Sequence, residues 1–422
     1  MRILHVVHGY PPSVGGCQWL AMNLSERLVS RHGDRVTVFT TTAYNMELFW
    51  RTDEPAMPAG TEEIKGVVVR RFPVMNHFGQ LRMLAAHVAH RLRLPYNDWL
   101  RTLYNGPLIA GMTEAVANSG ADIVLATAFP HLHMYYALAG ARRAGIPVVM
   151  LGAIHIADRM GYERPMMYRA IRKADAYIAL TPYERDHLLD RGVHRDKVVV
   201  IGPGVDAEAY AQADGTATRE QHGWQNHPVV ALIAKQSPRK QIDVLISAMR
   251  RVWNVYPDTQ LLLAGARTAY SPQIREMIRS LAPQQQAHVT VIDDFAEEDK
   301  PALLAACDLL VLPSGYESFG IAFLEAWACG KPVIGARVGA IPSVIDNGRD
   351  GLLARYQDPN DLATAIHELL ADPQRARQMG EAGRRKVLLR YTWDAVTDQV
   401  RALYSKVIAT QPCGRAHSSA EE

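Results

Sequence analysis

The sequence predicts an α/β protein of two Rossmann-like, doubly wound domains that face a central cleft. Three observations predict this architecture. At 422 residues the chain is too long for one ordinary hydrophobic core. Short runs rich in Val, Ile and Leu alternate with longer amphipathic segments along most of the chain. The alternation stops near residue 203 and restarts near residue 228, which divides the chain into two units.

The first unit contains seven runs that are typical of buried strands in a parallel sheet. They are ILHVV, RVTVFT, VVVRRF, DIVLAT, IPVVML, AYIAL and KVVVIG. Most are separated by segments long enough for a helix, as in βαβ units. In the first such segment the apolar positions recur at helical spacing, namely at Cys17, Leu20, Ala21, Leu24 and Leu28.

The second unit contains six further runs of the same kind, and the chain then ends in helices. The runs are PVVALIA, TQLLLAG, HVTVID, CDLLVLP, KPVIGA and DGLLA. The pattern predicts a first domain at 1–205, a linker at 206–226, a second domain at 227–388, a terminal helix at 389–410 and a disordered tail at 411–422.

Composition excludes several classes of function. The formal charge is only +3, so the chain as a whole gives no electrostatic case for binding nucleic acid. The four cysteines include no C-x-x-C pair, which argues against a zinc site or a disulfide framework and suits a reducing compartment. The apolar run at the N-terminus is too short for a signal peptide, and no run approaches the roughly 20 residues of a membrane span. We therefore expect a cytoplasmic protein.

Two glutamates, Glu317 and Glu325, stand eight positions apart in PSGYESFGIAFLEAWACGKPVI. This stretch predicts a strand, a loop and a helix that begins near Ser318. The free backbone N–H groups at the start of such a helix, here at residues 318–320, form an anion site. Glu325 would follow about two turns later on the same face, among apolar neighbours that predict partial burial. Its carboxylate would suit a vicinal diol such as a ribose, or else Glu325 is an ordinary helix former at a domain boundary.

Three further features lie at predicted strand ends. Lys235 follows PVVALIA, and Lys240 stands where the next helix begins; they would hold a diphosphate, or form a solvated basic loop. Gly15 and Gly16 lie between the first strand and the first helix, and they allow close approach of a phosphate or sugar or simply form a tight turn. His155 follows IPVVML, where it is either structural or faces the cleft.

Together these features resemble the group 1 branch of the retaining, nucleotide-sugar-dependent glycosyltransferases with the two-Rossmann type B fold. The stretch PSGYESFGIAFLEAWACGKPVIGARVGAIPSVIDNGRDGLL is similar to the family's signature of two glutamates separated by seven residues. GYPPSVGGCQWLAMNLSERL is similar to its N-terminal glycine loop, and IGPGVDAEAY to the segment that enters the second domain. YTWDAVTDQVRALY resembles the terminal helix that crosses back onto the first domain.

The resemblance implies a role for each candidate residue. Lysine side chains and the glycine backbone would hold the donor diphosphate, Glu325 the ribose, and Glu317 with the N–H groups after it the sugar and β-phosphate. His155 would form a hydrogen bond to the donor sugar near the reacting carbon. The implied catalytic residues are His155 and Glu317. The implied donor-binding residues are Gly15, Gly16, Lys235, Lys240, Ser318, Phe319, Gly320 and Glu325.

The resemblance also implies the chemistry. The cations and the helix N-terminus stabilise the negative charge of the departing nucleoside diphosphate. The acceptor hydroxyl attacks from the same face with a phosphate oxygen as base, so configuration is retained. The family does not generally need a metal, and the sequence has no D-x-D motif in a plausible strand-end loop. We expect no cofactor beyond the nucleotide-sugar donor, and a glycan, glycolipid or small-molecule acceptor.

The chain departs from the family pattern at several positions. Lys235 stands where Arg is usual, which gives a point charge instead of a planar fork. Gln241 stands where Gly is usual, and Pro203 where Asn is usual. Ala340 and Ser343 replace a common Gly and Glu, which alters the expected contacts to the donor. None of these changes removes a charge that the mechanism needs.

Residues 70–101 form a basic amphipathic segment with a single acid, Asp98. Its arginines are Arg70, Arg71, Arg82, Arg91, Arg93 and Arg101. The apolar residues between them are Leu81, Leu84, Val88, Leu92, Tyr96, Trp99 and Leu100. The segment either docks peripherally on anionic lipid at the inner face of a membrane or forms a helical insertion in the acceptor pocket.

Two other functions share the predicted fold. A nucleotide-sugar epimerase would eliminate the nucleotide, but it would need further acid and base carboxylates in the cleft, which the sequence does not place. A non-catalytic sugar-nucleotide-binding subunit would have no need of the full set of charged candidates.

Overall fold

The computed structural model describes residues 1–13 and 15–410, and the tail predicted to be disordered, residues 411–422, lies outside them. Within the described residues the chain forms an eight-stranded sheet followed by a six-stranded sheet. The predicted class of two doubly wound α/β domains is confirmed.

The first half of the chain alternates strands and helices. Its strands are β1 (Arg2–Val7), β2 (Arg35–Thr41), β3 (Gly60–Ile64), β4 (Val67–Phe72), β5 (Ile123–Thr127), β6 (Val148–Leu151), β7 (Ala176–Ala179) and β8 (Val198–Val200). Its helices are α1 (Gly16–His32), α2 (Gly79–Arg91), α3 (Asn97–Asn105), α4 (Met112–Ala117), α5 (His133–Ala144), α6 (Arg159–Tyr162), α7 (Pro165–Lys173) and α8 (Pro182–Asp190).

The first sheet has the order β3-β4-β2-β1-β5-β6-β7-β8. All neighbours pair in parallel except β3 and β4, which are antiparallel. The seven predicted runs correspond to β1, β2 and β4 to β8. The prediction lacks β3 because GTEEI is polar and mostly exposed, as suits an edge strand.

The core of the first domain lies on both faces of this sheet. Every residue of β5 is buried. Val124 and Ala126 join one apolar cluster, and Ile123 and Leu125 join the other. Because successive side chains of a strand point to opposite faces, β5 is the continuous apolar run expected of a strand covered on both sides.

The second half repeats this arrangement. Its strands are β9 (Val229–Ile233), β10 (Gln260–Gly265), β11 (Val289–Asp293), β12 (Leu309–Leu312), β13 (Val333–Ala336) and β14 (Gly351–Ala354). Its helices are α9 (Ala207–Ala211), α10 (Thr216–His222), α11 (Ile242–Val252), α12 (Ser271–Arg279), α13 (Pro283–Gln286), α14 (Lys300–Ala306), α15 (Ile321–Ala328), α16 (Pro359–Ala371), α17 (Pro373–Arg390) and α18 (Trp393–Ala409). Among the helices of the described residues, none has the length and apolarity needed to cross a membrane.

The second sheet is parallel throughout, with the order β11-β10-β9-β12-β13-β14. Its strands are the six that the sequence predicts. The polar segment predicted as a linker, 206–226, contains α9 and α10. Trp224 at its end is buried in the core of this half. The segment is therefore packed against the second domain and not extended between the domains.

Helix α18 returns to the first domain and packs on α1. Arg401 donates from Nε to Asp34 Oδ2 at 2.8 Å. Inside the same contact, the Tyr404 hydroxyl lies 3.1 Å from Nε2 of His5 on β1. The C-terminal segment thus connects the second domain to the face of the first sheet that α1 covers.

In each sheet the strand order reverses at one point: between β1 and β5 in the first, and between β9 and β12 in the second. Loops that leave the carboxyl ends of the two strands diverge there and open a crevice for a ligand. These two switch points position the residues described next.

Candidate functional site

The switch point of the second sheet brings two predicted residues together. Lys240 ends a short turn after β9, and Glu317 lies in the loop between β12 and α15. Because these loops follow neighbouring strands, Lys240 Nζ lies 2.6 Å from Glu317 Oε1. The two side chains are only 19% and 13% exposed. The ion pair fixes the ammonium group of Lys240 at the carboxyl edge of the sheet, where an anionic ligand would bind.

The other positions after β9 have different environments. Lys235 is exposed and makes no ion pair with any described residue, so its charge is available to a ligand. Gln241 has a left-handed φ of 51°, the conformation that glycine adopts most readily. The turn therefore keeps a glycine-type path although the side chain is glutamine.

Helix α15 begins at Ile321, so the prediction of a start near Ser318 is wrong. Gly320 precedes the helix with a φ of 94°, and a Cβ there would lie 2.7 Å from the Phe323 ring. Glycine is needed at this position because the backbone is left-handed and the ring is close. Ser318 consequently does not share a helix face with Glu325. The N–H groups of residues 318–320 donate to no oxygen of the described chain and stay available to an anion.

Glu325 is buried, at 6% exposed, as predicted. Its Oε1 lies 2.7 Å from Nζ of Lys300, a residue that the sequence did not single out. Burial lowers the pKa of Lys300, but the pairing with Glu325 and then Glu297 more than offsets this and raises it. Burial, followed by the charge of Glu325, raises the pKa of Tyr210. Glu325 therefore lies buried between the Lys300 ammonium and the Tyr210 phenol, and its role in ribose binding stays a prediction.

The glycine pair lies where α1 begins. Gly15 is in extended conformation, and Gly16 is the first residue of the helix. A Cβ on Gly16 would meet no heavy atom within 4 Å, whereas one on Gly15 would meet the Gln18 side chain at 2.4 Å. The structure leaves free space beside Gly16, and the role of the pair in donor binding stays a prediction.

A cavity of about 90 Å³ between the two domains brings the predicted catalytic residues together. His155, in the loop after β6, lines one wall, and Glu317 and Ser318 line the other. Burial lowers the pKa of His155 and nearby Arg239 lowers it further, although Glu317 acts in the opposite direction. The imidazole is therefore neutral at pH 7. Its buried Nδ1 has no hydrogen-bond partner among the described residues and is available to a ligand.

Glu184 supports the loop after β6, and no functional prediction pointed to it. Its carboxylate accepts hydrogen bonds from the Tyr177 hydroxyl at 2.6 Å, from Leu180 N–H at 2.8 Å and from Ile154 N–H at 3.3 Å. Burial raises the pKa of Glu184 to about 6, against the effect of these hydrogen bonds. The sequence signal is the spacing of Thr181 and Glu184, which is that of a capping box and predicts a helix start but no site.

Three histidines lie at the switch point of the first sheet: His8 follows β1, and His131 and His133 follow β5. We call these three residues the histidine cluster. The ring centroid of His8 lies 4.7 Å from that of His131 and 5.7 Å from that of His133. Burial lowers all three pKa values, to about 4 for His131 and about 3 for His133, so the rings are neutral at pH 7. The sequence offered one signal for them, since each follows a predicted strand.

Metal ligation by such side chains finds no geometric support. In the part of the chain that the structure describes, no group of three or more His, Cys, Asp or Glu side chains is placed to hold a metal ion.

A second cavity, of about 530 Å³, opens beyond the carboxyl ends of β10 and β11. Its lining includes Arg267, Arg275 and Asp293. Arg275 ion-pairs with Asp293, and Arg267 Nε lies 2.9 Å from Asp294 Oδ2. The cavity therefore combines balanced charges with open space at the same sheet edge as Lys240.

Two family profiles match the chain. The profile of a family described as Glycosyl transferases group 1 matches residues 214–386, which include Lys240, Glu317 and Glu325. The profile of Glycosyltransferase Family 4 matches residues 14–209, which include His155.

Curated relatives match over most of the chain. The alpha-maltose-1-phosphate synthase of Mycolicibacterium smegmatis is 32% identical over 370 residues, which cover 78% of this chain and 93% of that protein. A GDP-mannose-dependent alpha-(1-6)-phosphatidylinositol monomannoside mannosyltransferase of the same species is 31% identical over 271 residues, which cover 60% of this chain and 69% of that protein.

Solved structures show the same fold. The Anabaena protein HepE, in complex with UDP and glucose, superposes with a TM-score of 0.69 over 96% of this chain and 99% of that chain, at 21% identity.

Proposed function

This chain belongs to the group 1 glycosyltransferases, and we propose that it transfers a sugar from a nucleoside-diphosphate sugar to an acceptor hydroxyl with retention of configuration and without a metal ion. The observation that carries the proposal is the Lys240–Glu317 ion pair beside His155 in the cavity between the domains. A fixed cation, a carboxylate and a neutral imidazole meet where the carboxyl edges of both sheets face each other.

Positive charge at the second switch point supports a diphosphate there. Lys240 is paired with Glu317, which lines the cavity, and Lys235 is exposed and unpaired among the described residues. In the proposal these cations neutralise the diphosphate in place of a metal ion, and the backbone of Gly15 and Gly16 approaches it from the first domain. The free space beside Gly16 is compatible with that approach.

The rest of the donor then extends along the second sheet edge. In the proposal Glu325 accepts hydrogen bonds from the ribose hydroxyls, and its ion pair with Lys300 holds the carboxylate in position. Glu317 and the N–H groups of residues 318–320 hold the sugar and the β-phosphate. The cavity beside Asp293 offers room for the base.

The transfer step follows from this placement. The bond between the anomeric carbon and the β-phosphate oxygen breaks, and its electron pair leaves with the nucleoside diphosphate. Lys240 and the N–H groups of residues 318–320 stabilise the charge that develops. The acceptor oxygen then bonds to the same face of the sugar, and its proton passes to the departing phosphate oxygen. Exclusion of water from the narrow cavity limits hydrolysis.

The carboxylates that line this cavity favour front-face attack over a covalent sugar–enzyme intermediate. Glu317 is engaged by Lys240, and Glu184 accepts hydrogen bonds from three donors of its own domain. Neither is placed as a free nucleophile among the described residues. In the proposal the unpartnered Nδ1 of His155 forms a hydrogen bond to the donor sugar near the reacting carbon.

The first domain supplies the acceptor side in this proposal. One relative is named an alpha-maltose-1-phosphate synthase and another a phosphatidylinositol monomannoside mannosyltransferase, so the names of relatives include both a sugar phosphate and a lipid-linked sugar. We propose a sugar-containing or lipid-linked acceptor that enters at the histidine cluster. The enzyme would work in the cytoplasm, with peripheral membrane contact through residues 70–101.

The test is incubation with UDP-, GDP- and ADP-sugars, with and without acceptors and with excess EDTA. We expect one nucleoside diphosphate to be released only with an acceptor, without inhibition by EDTA, and a product with the anomeric configuration of the donor. Release of a sugar-derived product without acceptor would indicate an epimerase instead. No release from any donor would indicate a non-catalytic subunit, and an inverted product would give His155 the role of base.

A further inference from the structure

The hairpin of α2 and α3 carries large apolar side chains on its outer side. They are Phe78 (77% exposed), Leu81 (62%), Leu84 (60%), Val88 (43%), Leu92 (62%), Tyr96 (83%) and Trp99 (52%), which we call the apolar face. Monomeric proteins in water rarely expose a contiguous apolar patch of this kind without a partner.

Helix α2 turns small side chains toward the protein and its large apolar side chains toward solvent, the reverse of an ordinary amphipathic helix. Its buried residues include Ala86 and Ala89, which are small. Its exposed stripe runs through Leu81, Leu84 and Val88 and continues to Leu92. These positions recur at intervals of three and four residues and so share one side of the helix. The side chains with the most to gain from burial therefore point away from the protein.

Unpaired positive charge stands beside the apolar face. Arg91 and Arg93 are exposed, and neither forms an ion pair with a described residue. The single acid of the segment, Asp98, is bound by Arg164 Nε at 2.8 Å. Because that carboxylate is engaged inside the domain, the outer side of the hairpin presents cations without a compensating acid.

The basic surface is narrower than residues 70–101, the range that the sequence suggests. Arg71 ion-pairs with Glu62. Arg82 and Arg101 donate to backbone carbonyl oxygens inside the domain. Arg82 and Arg101 thus consolidate the hairpin, and the unpaired charge beside the apolar face comes from Arg91 and Arg93.

The hairpin is attached to loops at the cleft edge of the first sheet. Arg82 Nη2 donates to the carbonyl oxygen of Phe49, which lies in a loop after β2, at 2.7 Å. At the other end, Nδ1 of His131 lies 3.3 Å from the carbonyl oxygen of Asn105, the last residue of α3. The hairpin that carries the apolar face thus contacts the histidine cluster through its last residue.

We propose that the apolar face docks on an anionic lipid bilayer, with α2 in the plane of the membrane surface. The aliphatic stripe and Phe78 enter the boundary between headgroups and acyl chains, where Tyr96 and Trp99 also fit. Arg91 and Arg93 contact anionic headgroups. A second copy of the chain is a poorer occupant, because a twofold contact would bring these unpaired cations together. The proposal rests on the proposed function for one consequence only: the acceptor reaches the cleft from the lipid surface.

Co-sedimentation of the full chain with vesicles tests the docking. We expect binding to phosphatidylcholine vesicles that contain phosphatidylglycerol, weaker binding to phosphatidylcholine alone, and loss of binding at high salt. The double variant Leu84→Ser with Val88→Ser should lose at least about tenfold in partitioning, and so should Arg91→Glu with Arg93→Glu. The matched control is Leu388→Ser with Leu389→Ser, which removes two apolar side chains that are 52% and 77% exposed on α17.

Absence of wild-type binding to the anionic vesicles would overturn the proposal, as would an equal loss in the control variant. A wild-type dimer in solution that becomes monomeric in Leu84→Ser with Val88→Ser would assign the apolar face to a second copy instead. Nucleotide release in vesicle-free solution, measured on the same variants, separates the two proposals. Normal release without vesicle binding refutes docking alone, and vesicle binding without release from any donor refutes the glycosyltransferase function alone.

Discussion

The two switch points of this molecule have the same strand topology but differ in charge. One has charged side chains, and the other has neutral rings. In the second sheet the crevice is lined by the ion pair Lys240–Glu317, with unpaired Lys235 nearby. In the first sheet the switch point carries the histidine cluster, whose rings are neutral at pH 7 because burial lowers their pKa values. The same fold therefore offers one ligand fixed charges and the other only uncharged hydrogen-bonding rings.

This difference matches the two co-substrates of the proposed reaction. A nucleoside diphosphate carries negative charge in every donor, so its site needs fixed cations. An acceptor hydroxyl is uncharged, and a neutral pocket does not impose a charge on what enters it. In the proposed reaction the cations bind the diphosphate at the second switch point, and the acceptor binds at the first.

Lys240→Ala, at the charged switch point, should give the largest effect of the four variants. Loss of the cation removes stabilisation of the departing diphosphate and leaves Glu317 unpaired, so kcat/KM should fall by about 10²–10³-fold. The measurement is nucleotide release with a saturating acceptor. Lys65→Ala is the control, since Lys65 is 70% exposed and pairs with Glu26 on the surface. A loss below about threefold in Lys240→Ala would show that the diphosphate does not lie there.

Glu184→Gln tests the wall that the first domain contributes to the shared cavity. The pKa of Glu184 is raised to about 6 in the folded protein, so the folded state binds the proton more tightly than the unfolded state. Wild-type stability should therefore fall as pH rises from about 4.5 through about 6, by about 2 kcal/mol from this group. The stability of Glu184→Gln relative to wild type should rise by that amount over the same window, as measured by urea unfolding. A pH-independent difference would contradict the assignment.

Glu325→Gln should weaken donor binding by about tenfold, because a neutral amide accepts weaker hydrogen bonds from a ribose than a carboxylate does. The measurement is titration with the nucleoside diphosphate that binds wild type most tightly. Lys300→Gln is the control, since it breaks the same 2.7 Å ion pair from the other side. If both variants lose thermal stability and neither loses affinity, Glu325 is structural and the ribose assignment is wrong.

His131→Ala should give the smallest effect of the four variants. The effect should be on acceptor binding, which is proposed for the first switch point. Loss of one neutral hydrogen-bonding ring should raise the acceptor KM by about fivefold and leave donor affinity within about twofold. Initial rates at varied acceptor concentration, beside donor titrations, give both numbers. A larger change in donor affinity than in acceptor KM would contradict the assignment of the acceptor to the first switch point.

The sequence predicted the fold and the charged crevice better than the neutral one, for physical reasons. Apolar runs of strand length identify every strand except β3, whose edge position leaves it polar. Lys240 is predicted because a lysine near a strand end is visible in the sequence, and Glu317 is predicted through the stretch that resembles the family's signature. The properties of the histidine cluster and of Glu184 depend on which residues pack around them in the folded chain. A pKa shift that is caused by burial cannot be recognised in the sequence.

Two errors have equally local causes. The sequence predicts a start of α15 near Ser318, but Gly320 has a left-handed backbone and the helix begins only after it, at Ile321. Lys300 was missed because it stands 25 positions from Glu325 in sequence, and only the packing of α14 beside α15 brings the pair together.

The most direct test of the account is calorimetric titration of one nucleoside diphosphate, chosen as the tightest of UDP, GDP and ADP, into wild type, Lys240→Ala and His131→Ala. The cations proposed to bind the donor diphosphate lie at the second switch point. This placement predicts at least about tenfold weaker binding in Lys240→Ala and a change within about twofold in His131→Ala. Equal weakening in both variants, or unchanged affinity in Lys240→Ala, would contradict it.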